Sequence, residues 1–401
     1  MSGDLSEVLS AANAALANNS IDNVDPATRM QLLGVLDQLR GALEPPRMTV
    51  VNYSISYYVL TAIRVSQGMG IFDAFSQAQG SKQLTVDELD AKTKGDRALL
   101  ARLMRYLCAN KIFKEVGDAA YEPFPIALDL ASVPGDMIKH FYLNMRTSSF
   151  LYEYFEKNGY RIPTDAYDAP FQFSQNTKQH FFEFLDAHPE DQAAFNSVMT
   201  LTRSVTGVNW HEFFPVAEKL QVSPAESESR ALLVDIGGGI GHDISTFKNA
   251  FPDLPGRLIV QDLPQAIKDI PPNSLPAGIE AMSYDMFEEQ PVVGAKAYYM
   301  RTVLHDWPDK QGLDVLARIH AAMSEDSVLL VNENTLSEAN IAAIPATLDL
   351  VMMQTFSSLD RTEQQWIALL EKAQFQVVKV WRPDVEKASH AIYEAVAKKS
   401  G

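Results

Sequence analysis

Glycine residues crowd into the stretch VDIGGGIGHD, which follows an apolar run in the middle of a chain of 401 residues. Gly237, Gly239 and Gly241 lie there, and glycine lets backbone amides approach a ligand closely and tolerates positive φ. An apolar strand, a glycine-rich turn and a helix start together predict a site for a nucleotide-like ligand. The stretch lacks the lysine of a GxxxxGK[ST] loop and departs from GxGxxG spacing, which disfavours ATP, GTP and dinucleotides. A tight turn without a ligand is the alternative for this stretch alone.

Two aspartates that follow the next two predicted strands sharpen this prediction. Asp262, in VQDLP, comes about twenty residues after the glycines, where a carboxylate can accept both hydroxyls of a ribose. Asp285, in YDMFEE, follows the strand after that, and the adjacent Met286 offers an apolar surface suited to an adenine ring. Either aspartate alone is more typical of a helix cap or a solvated loop. The three features at successive strand ends therefore indicate a nucleoside site.

His305, in VLHDWPD, has a side chain suited to proton transfer, because the pKa of a histidine lies near neutrality. It follows the apolar stretch AKAYYMRTVL, which predicts another strand. The neighbouring Asp306 and Pro308 are also good capping-region residues. Taken alone, the residue could therefore be a helix start with no catalytic role.

The two halves of the chain differ in hydrophobic rhythm, and the second half must position these residues. After Arg230, apolar runs alternate with helical stretches, which predicts an α/β fold with an open, mostly parallel Rossmann-like sheet over residues 230–401. Residues 1–220 have helical spacing and predict an all-α region for dimerisation and substrate capping. We expect one helix over residues 25–46, a second over residues 57–75, and a winged-helix-like outline over residues 84–123. A homodimer is expected, since the first helices carry more apolar surface than one copy buries.

The composition and charge exclude several classes of function. The chain is 46% hydrophobic and 21% charged, as in an ordinary globular protein. Its net charge of −17 makes nucleic acid and anionic membrane surfaces poor partners. One cysteine excludes an internal disulfide, and no carboxylate accompanies His180 and His188 at a suitable offset, so no metal site is expected. No secretory signal and no long apolar run is recognisable, so the expected compartment is the cytosol.

The motifs DIGGGIGHD, VQDLP, YDMFEE and YYMRTVLHDWPD together resemble the S-adenosylmethionine-dependent O-methyltransferases that act on phenolic and polyketide natural products. The stretch NGYRIPTDAYDAPFQFSQNT is most similar to the fungal branch, and the resemblance runs from about Thr49 to Ala397. It implies that S-adenosylmethionine binds at the Rossmann-like sheet. The cofactor contacts that it implies are Gly237, Gly239 and Gly241 at the methionine portion, Asp262 at the ribose, Asp285 and Met286 at the adenine, and Arg301 close by.

The resemblance also implies a reaction and an acceptor pocket. A phenolic or enolic hydroxyl would be methylated, with His305 as the general base and Glu333 and Asp360 flanking its ring. The family usually has glutamate where Asp360 stands, so this carboxylate is one methylene shorter. Candidates for the acceptor pocket are Phe173, Met199, Met352, Met353 and Phe356. Methionine and aromatic residues at helical spacing are otherwise typical of a plain core.

Some fungal relatives in this family bind S-adenosylmethionine without transferring its methyl group and act as pericyclases. Hydrogen-bond donors near the pocket would then stabilise charge that develops on a carbonyl. The candidate donors are His140, Arg203, Arg301 and Thr302. Retention of His305 and Glu333 favours methyl transfer, and the mass of the product distinguishes the two activities. A third interpretation, a winged-helix regulator that senses S-adenosylmethionine, is disfavoured by the acidic charge.

Overall fold

The computed structural model describes residues 2–18, 24–78, 83–117, 119–206, 208–223, 225–226, 228–384 and 390–398, without the side chains of residues 2–4 and 202–206. The helices of the N-terminal half are α1 (Ser2–Ala17), α2 (Pro26–Leu43), α3 (Pro46–Ile55), α4 (Tyr57–Met69), α5 (Ile71–Ser76), α6 (Val86–Lys92), α7 (Arg97–Ala109), α8 (Pro125–Asp129), α9 (Asp136–Ser148), α10 (Leu151–Lys157), α11 (Pro170–Gln175), α12 (Phe181–Asp186), α13 (Pro189–Thr206), α14 (Trp210–Phe213) and α15 (Val216–Lys219). Three short strands, β1 (Leu84–Thr85), β2 (Phe113–Val116) and β3 (Ala120–Pro123), form an antiparallel sheet in the order β1-β3-β2.

Local signals explain where these helices begin and end. The side chain of Asp25 accepts hydrogen bonds from two amides at the start of α2, and Pro26 occupies its first turn, which confirms the helix predicted over residues 25–46. The single helix predicted over residues 57–75 is wrong. Gly70 adopts a left-handed conformation with φ of 80° and separates α4 from α5. The predicted helices and hairpin within residues 84–123 are present, with β1 as an additional strand.

The C-terminal half alternates strands and helices as predicted. Its elements are β4 (Ala231–Ile236), α16 (His242–Ala250), β5 (Arg257–Asp262), α17 (Pro264–Lys268), β6 (Ile279–Ser283), β7 (Ala297–Arg301), α18 (Asp309–Ala322), β8 (Val328–Asn334), α19 (Ala343–Phe356), α20 (Glu363–Lys372), β9 (Phe375–Trp381) and β10 (His390–Ala397). The sheet has the order β6-β5-β4-β7-β8-β10-β9. Strands β4 to β8 pair in parallel, whereas β10 is antiparallel to both β8 and β9.

Both faces of the central strands are buried, as the apolar run in β4 predicts. All six residues of β4 are buried, and successive side chains enter opposite faces of the sheet. Val234 packs on the face that contains Trp366, while Leu233 packs on the face that contains Trp210. Each such aliphatic side chain contributes about 1.5–3 kcal/mol by leaving water. The carboxyl ends of β4, β5 and β7 are thereby held side by side.

One helix connects the N-terminal half to the sheet domain. Helix α9 packs against α4, α11 and α13 of its own half and also against α19. Aromatic side chains of α11 and α12 form a cluster with Phe356 at the end of α19. The helical half therefore lies over the carboxyl edge of the sheet, where a ligand site is expected.

Candidate active site

The turn after β4 places the predicted glycines at the carboxyl edge of the sheet. Gly237, Gly239 and Gly241 have φ values of 71°, 59° and 81°, a region that strains other residues. A Cβ on Gly237 would lie 2.6 Å from a methyl group of Val303. A Cβ on Gly239 would meet nothing within 4 Å, so the backbone of this glycine borders open space.

Asp262 lies at the end of β5 and is hydrogen-bonded to the glycine turn. Its Oδ2 accepts the N–H of Gly239 at 2.7 Å, and its Oδ1 accepts the N–H of Leu263 at 2.7 Å. A carboxylate oxygen has a second lone pair, so both oxygens can still accept a ligand hydroxyl. Leu263 is 49% exposed at the same edge and was missed by the sequence analysis. The only feature of the sequence that could have indicated Leu263 is its position as an apolar residue directly after Asp262.

Asp285 and Met286 follow β6, as predicted. The Asp285 side chain is exposed and accepts the N–H of Phe287 at 3.0 Å. Met286 and Phe287 are partly buried against the core of the sheet domain. An acidic acceptor beside apolar surfaces fits an adenine ring with its amino group. The residues at the ends of β4, β5 and β6 therefore fit the nucleoside of S-adenosylmethionine.

Arg301 lies at the end of β7, in a polar network beside the glycine turn. Its Nη1 is 2.8 Å from Asp243 Oδ1, and the Tyr299 hydroxyl donates to Asp243 Oδ2 at 2.8 Å. Arg301 and Asp243 line a small cavity together with Asp235 and Gly237. Two carboxylates against one guanidinium give this cavity an acidic balance that suits a cationic ligand. Asp243 was missed by the sequence analysis, although it ends the GIGHD stretch.

His305 sits in a 3₁₀ turn, Leu304–Asp306, directly after β7. Thr302 turns the chain there with a φ of 48°, and its hydroxyl donates to the Arg301 carbonyl at 2.8 Å. His305 Nδ1 lies 3.4 Å from Asp360 Oδ1, and its Nε2 lies 3.4 Å from Asp306 Oδ1. The imidazole is thus held between two carboxylates at the carboxyl edge of the sheet.

These carboxylates control the charge of His305. Burial alone would lower its pKa, but Asp306, Glu333 and Asp360 outweigh burial and raise the pKa to about 10. Burial raises the pKa of Asp306 to about 6 and that of Glu333 to about 7. The imidazole therefore carries a proton at neutral pH, and the neutral form that accepts a proton is the minor one.

Glu333 lies at the end of β8, and its carboxylate contacts the backbone of the turn that carries His305. Its Oε1 accepts the N–H groups of Val303 and Leu304 at 3.0 and 2.9 Å. Its Oε2 has no hydrogen-bond partner within the described part of the chain. Glu333 therefore supports the backbone of the turn, and Asp360 is a carboxylate that meets the His305 ring at Nδ1.

The segment after α19 completes the site and contains residues that the sequence analysis missed. Ser358 donates its hydroxyl to the His305 carbonyl, and the N–H of Asp360 donates to Asp349 Oδ1 at 3.0 Å. Arg361 donates to the carbonyls of Leu304 and Trp307. The stretch SLDRTE was the available signal, but it indicated only Asp360.

The predicted acceptor-pocket residues divide between two locations. Phe356 is buried in the aromatic cluster, Met352 packs against this cluster, and Met353 is half-buried on the same helix. Met199, on α13, is 36% exposed. Arg203 also lies on α13, but its side chain is outside the described residues. Met352 and Phe356 therefore lie on a helix, α19, that contacts the turn carrying His305.

Phe173 does not join this cluster. Its ring packs against Phe150 at 6.3 Å and Tyr154 at 5.8 Å. Phe171, two residues earlier on α11, contacts Phe181 and shares the aromatic cluster with Phe356. Phe171 and Phe173 therefore lie on different faces of this short helix, and a contact of Phe173 with the acceptor stays a prediction.

His140 joins a buried polar network between α9 and α19. Its Nε2 lies 3.1 Å from Asn144 Nδ2, and Asn144 Oδ1 accepts from the Thr355 hydroxyl at 3.3 Å. Gln354 donates to the Asn144 carbonyl at 3.1 Å. Burial lowers the pKa of His140 to about 4, so its ring is neutral. A neutral ring can donate a hydrogen bond to a substrate but does not bring a positive charge.

Trp307, two residues after His305, connects the helical half to the cofactor edge. Its ring stacks on that of His180, which directly precedes α12, with centroids 4.6 Å apart, and meets Phe287 edge-on at 4.6 Å.

Among the described residues, no group of three or more His, Cys, Asp and Glu can hold a metal ion. In the same residues, no helix combines the length and apolarity that crossing a membrane requires.

Comparison with known proteins gives a consistent result. Residues 166–376 match the family described as the O-methyltransferase domain. O-methyltransferase ucdC of Aspergillus ustus is 34% identical over 89% of this chain and 90% of its own length. A solved structure described as a pericyclic reaction enzyme has a TM-score of 0.82 at 29% identity, over 98% of this chain and 100% of that chain. LepI in complex with S-adenosylmethionine gives a TM-score of 0.82 at 28% identity over the same shares. These matches confirm the predicted fold class and bear out S-adenosylmethionine as the expected cofactor.

Proposed function

Because the chain belongs to the O-methyltransferase family, we propose that it methylates a phenolic or enolic hydroxyl of a polyketide or aromatic secondary metabolite. The observation that supports this proposal best is the placement of His305. Its imidazole lies beside the end of the strand that neighbours the glycine turn, within 3.4 Å of the Asp360 carboxylate. A histidine paired with a carboxylate at this position can take a proton from a bound hydroxyl.

The cofactor site is made by the ends of three neighbouring strands. Asp262 and Asp285 would hold the nucleoside, and the glycine turn with the acidic cavity at Asp243 and Arg301 would hold the methionine portion. Bound S-adenosylmethionine supplies an electrophilic methyl group. The carboxylates in this cavity favour a ligand with a net positive charge.

His305 would perform the proton transfer. The proton of the bound acceptor hydroxyl would pass to the neutral imidazole as its oxygen is methylated. Asp360 and Asp306 then stabilise the imidazolium, and Glu333 keeps the turn in place through two amide hydrogen bonds. Positioning of the acceptor and removal of its proton are the main tasks left to the protein.

Mass spectrometry with candidate phenolic and polyketide acceptors tests this function. Methyl transfer adds one methyl group to the acceptor and releases S-adenosylhomocysteine. We expect His305→Asn to lose at least about a hundredfold in methyl transfer, since it removes the proton acceptor. Calorimetry should show that this variant binds S-adenosylhomocysteine as tightly as the wild type. Undiminished methyl transfer in the variant would remove His305 from the mechanism.

A pericyclase is the second candidate, and the charge of His305 favours it specifically. With a pKa of about 10, the imidazole is a charged hydrogen-bond donor at neutral pH, which suits stabilisation of a developing oxyanion. The similarity to a pericyclic reaction enzyme over nearly the whole chain supports the same candidate. Such a reaction gives an isomer, or a dehydrated product, and leaves the methyl group of the cofactor in place.

We further propose that the chain forms a homodimer through its first helices. None of the described residues of α2 and α3 is buried. Leu33 and Leu36 of α2 and Val50 of α3 expose more than half of their surface. Several large apolar side chains exposed on neighbouring helices are typical of an association interface. A second copy that covers these helices would bury it.

A further inference from the structure

Arg361 is a buried arginine whose contacts converge on the turn that carries His305. Only 1% of its side chain is exposed. Nη1 donates to the Leu304 carbonyl at 3.2 Å, and Nη2 donates to the Trp307 carbonyl at 3.0 Å. The planar guanidinium thus binds one carbonyl before His305 and one after it. A fork of this geometry fixes two acceptors at once, which the single ammonium group of lysine cannot do.

The guanidinium is itself held in one orientation. Nη2 lies 2.8 Å from Asp309 Oδ1, and the guanidinium carbon lies 4.8 Å from the centroid of the Trp366 ring. The Asp309 side chain is 55% exposed, so its ion pair is weakened by solvent. The two carbonyl hydrogen bonds and the packing on Trp366 are buried and make the stronger part of the contact.

The segment that holds Arg361 also carries the group that meets the imidazole. Asp360 contacts His305 Nδ1 at 3.4 Å, and Ser358 donates to the His305 carbonyl. We propose that Arg361 is a positioning residue that keeps the His305 imidazole against Asp360 by binding the carbonyls on both sides of the turn. This role rests on the proposed participation of His305 in the reaction.

The ionisable groups around His305 show why the clamp matters. Asp306 belongs to the turn itself and would move with it, whereas the Glu333 side chain of β8 stays hydrogen-bonded to the turn backbone. His390 of β10 is neutral, because burial lowers its pKa to about 4. Of these carboxylates, Asp360 alone belongs to the segment that Arg361 attaches to the turn. The N–H of Asp360 donates to the carboxylate of Asp349 in α19. Loosening the clamp therefore separates His305 from Asp360 more than from the other carboxylates.

The test is a nuclear magnetic resonance titration of His305 in the full-length protein labelled at its histidines, without ligand. The chain has eight histidines, and loss of one signal in His305→Asn assigns the resonance. We expect Arg361→Lys to lower the pKa of His305 by at least about one pH unit, because a carboxylate at contact distance stabilises the imidazolium by that amount or more. Arg361→Gln is made in parallel, so that either variant that folds decides the result.

Arg230→Lys is the matched control. Arg230 is also a poorly exposed arginine that binds a carbonyl, that of Gly294 at 2.9 Å, and a carboxylate, that of Asp326 at 2.5 Å. It precedes β4 and so lies at the opposite edge of the sheet. The Arg230→Lys variant should have a lower thermal stability but the same His305 pKa as the wild type. The Asp309→Asn variant keeps both hydrogen bonds from Arg361 to the carbonyls, so it should also leave the His305 pKa unchanged.

Two results would overturn the proposal: a wild-type His305 titration in a folded Arg361 variant, or an equal shift in Arg230→Lys. Because the titration needs no acceptor and no methyl transfer, these outcomes do not depend on the proposed reaction. Failure of the proposed function would instead appear as undiminished methyl transfer in His305→Asn. A clamp that acts as proposed and a site that transfers no methyl group can thus be told apart.

Discussion

The protonation state of His305 decides which of the two proposed reactions the site supports, and pH is the perturbation that tests it. The three carboxylates around the imidazole raise its pKa to about 10. At pH 7 only about one molecule in a thousand then has a neutral imidazole, a free-energy cost of about 4 kcal/mol for the form that accepts a proton. The structure therefore gives opposite signs of pH dependence for a base and for a charged donor.

If His305 is the base, kcat/KM should rise about tenfold per pH unit from pH 7 and level off near pH 10. If the imidazolium is the functional form, the rate should be flat from pH 7 to 9 and fall above pH 10. Binding of S-adenosylmethionine adds a positive charge and should move the inflection in kcat to lower pH, since a cation disfavours the imidazolium. S-adenosylhomocysteine lacks the sulfonium charge and should lower the pKa of His305 less.

The assay follows product formation by mass spectrometry between pH 6 and 10.5, with circular dichroism at each pH to confirm that the protein stays folded. An acceptor phenol ionises near pH 10 itself, as tyrosine does, so its own titration must be separated. His305→Asn provides that control, because any rise that remains in the variant belongs to the acceptor. Methyl transfer with a flat profile from pH 6 to 9 would refute the assignment of His305 as the base.

Two further predictions concern the buried carboxylate and the apolar helices. Burial raises the pKa of Glu333 from 4.5 to about 7, so its ionisation opposes folding increasingly as the pH rises through this window. Glu333→Gln should therefore be more stable than the wild type by about 2–3 kcal/mol at pH 8 and by less than about 1 kcal/mol at pH 5, as measured by urea unfolding; equal differences at both pH values would contradict this. Leu36, 55% exposed on α2, should lie in the dimer interface, so Leu36→Asp should shift sedimentation towards the monomer, while Leu263→Asp at the cofactor edge should not. A dimer that persists unchanged in Leu36→Asp would place the interface elsewhere.

Local patterns in the sequence predicted the elements of the sheet domain and pointed to candidate cofactor residues, which lie along its carboxyl edge. The apolar run before Gly237, without polar alternation, is typical of a strand buried on both faces, and this strand is β4. Asp262 and Asp285 then followed at the ends of neighbouring strands, because successive βαβ units bring their carboxyl ends to one edge. These features depend on contacts between residues near in sequence, which a pattern can reveal.

Features that depend on the phase of a short helix or on distant strands were predicted less well. Helix α11 has six residues, too few for their spacing to reveal that Phe171 is buried and Phe173 only partly buried. Glu333 was assigned to the imidazole, but its side chain reaches the amides of the turn on the neighbouring strand. The direction of that side chain is set by the register of β8 against β7, which the alternation of strands and helices does not specify.

The role of Arg361 was the hardest to predict, because the capping signal beside it already accounts for the local sequence and gives no sign of its contacts with the distant His305 turn. The residues that follow it form a capping box, since Thr362 accepts the N–H of Gln365 and the Gln365 side chain accepts the N–H of Thr362. The stretch DRTEQQ is therefore accounted for by the start of α20, and nothing local requires the arginine to be buried. Its acceptors, the carbonyls of Leu304 and Trp307, lie more than fifty residues earlier in the chain. The capping box fixes the backbone at Thr362, which directly precedes α20, and Arg361 comes directly before Thr362. The local signal that accounts for this stretch therefore also helps to direct the Arg361 side chain towards the turn that carries His305.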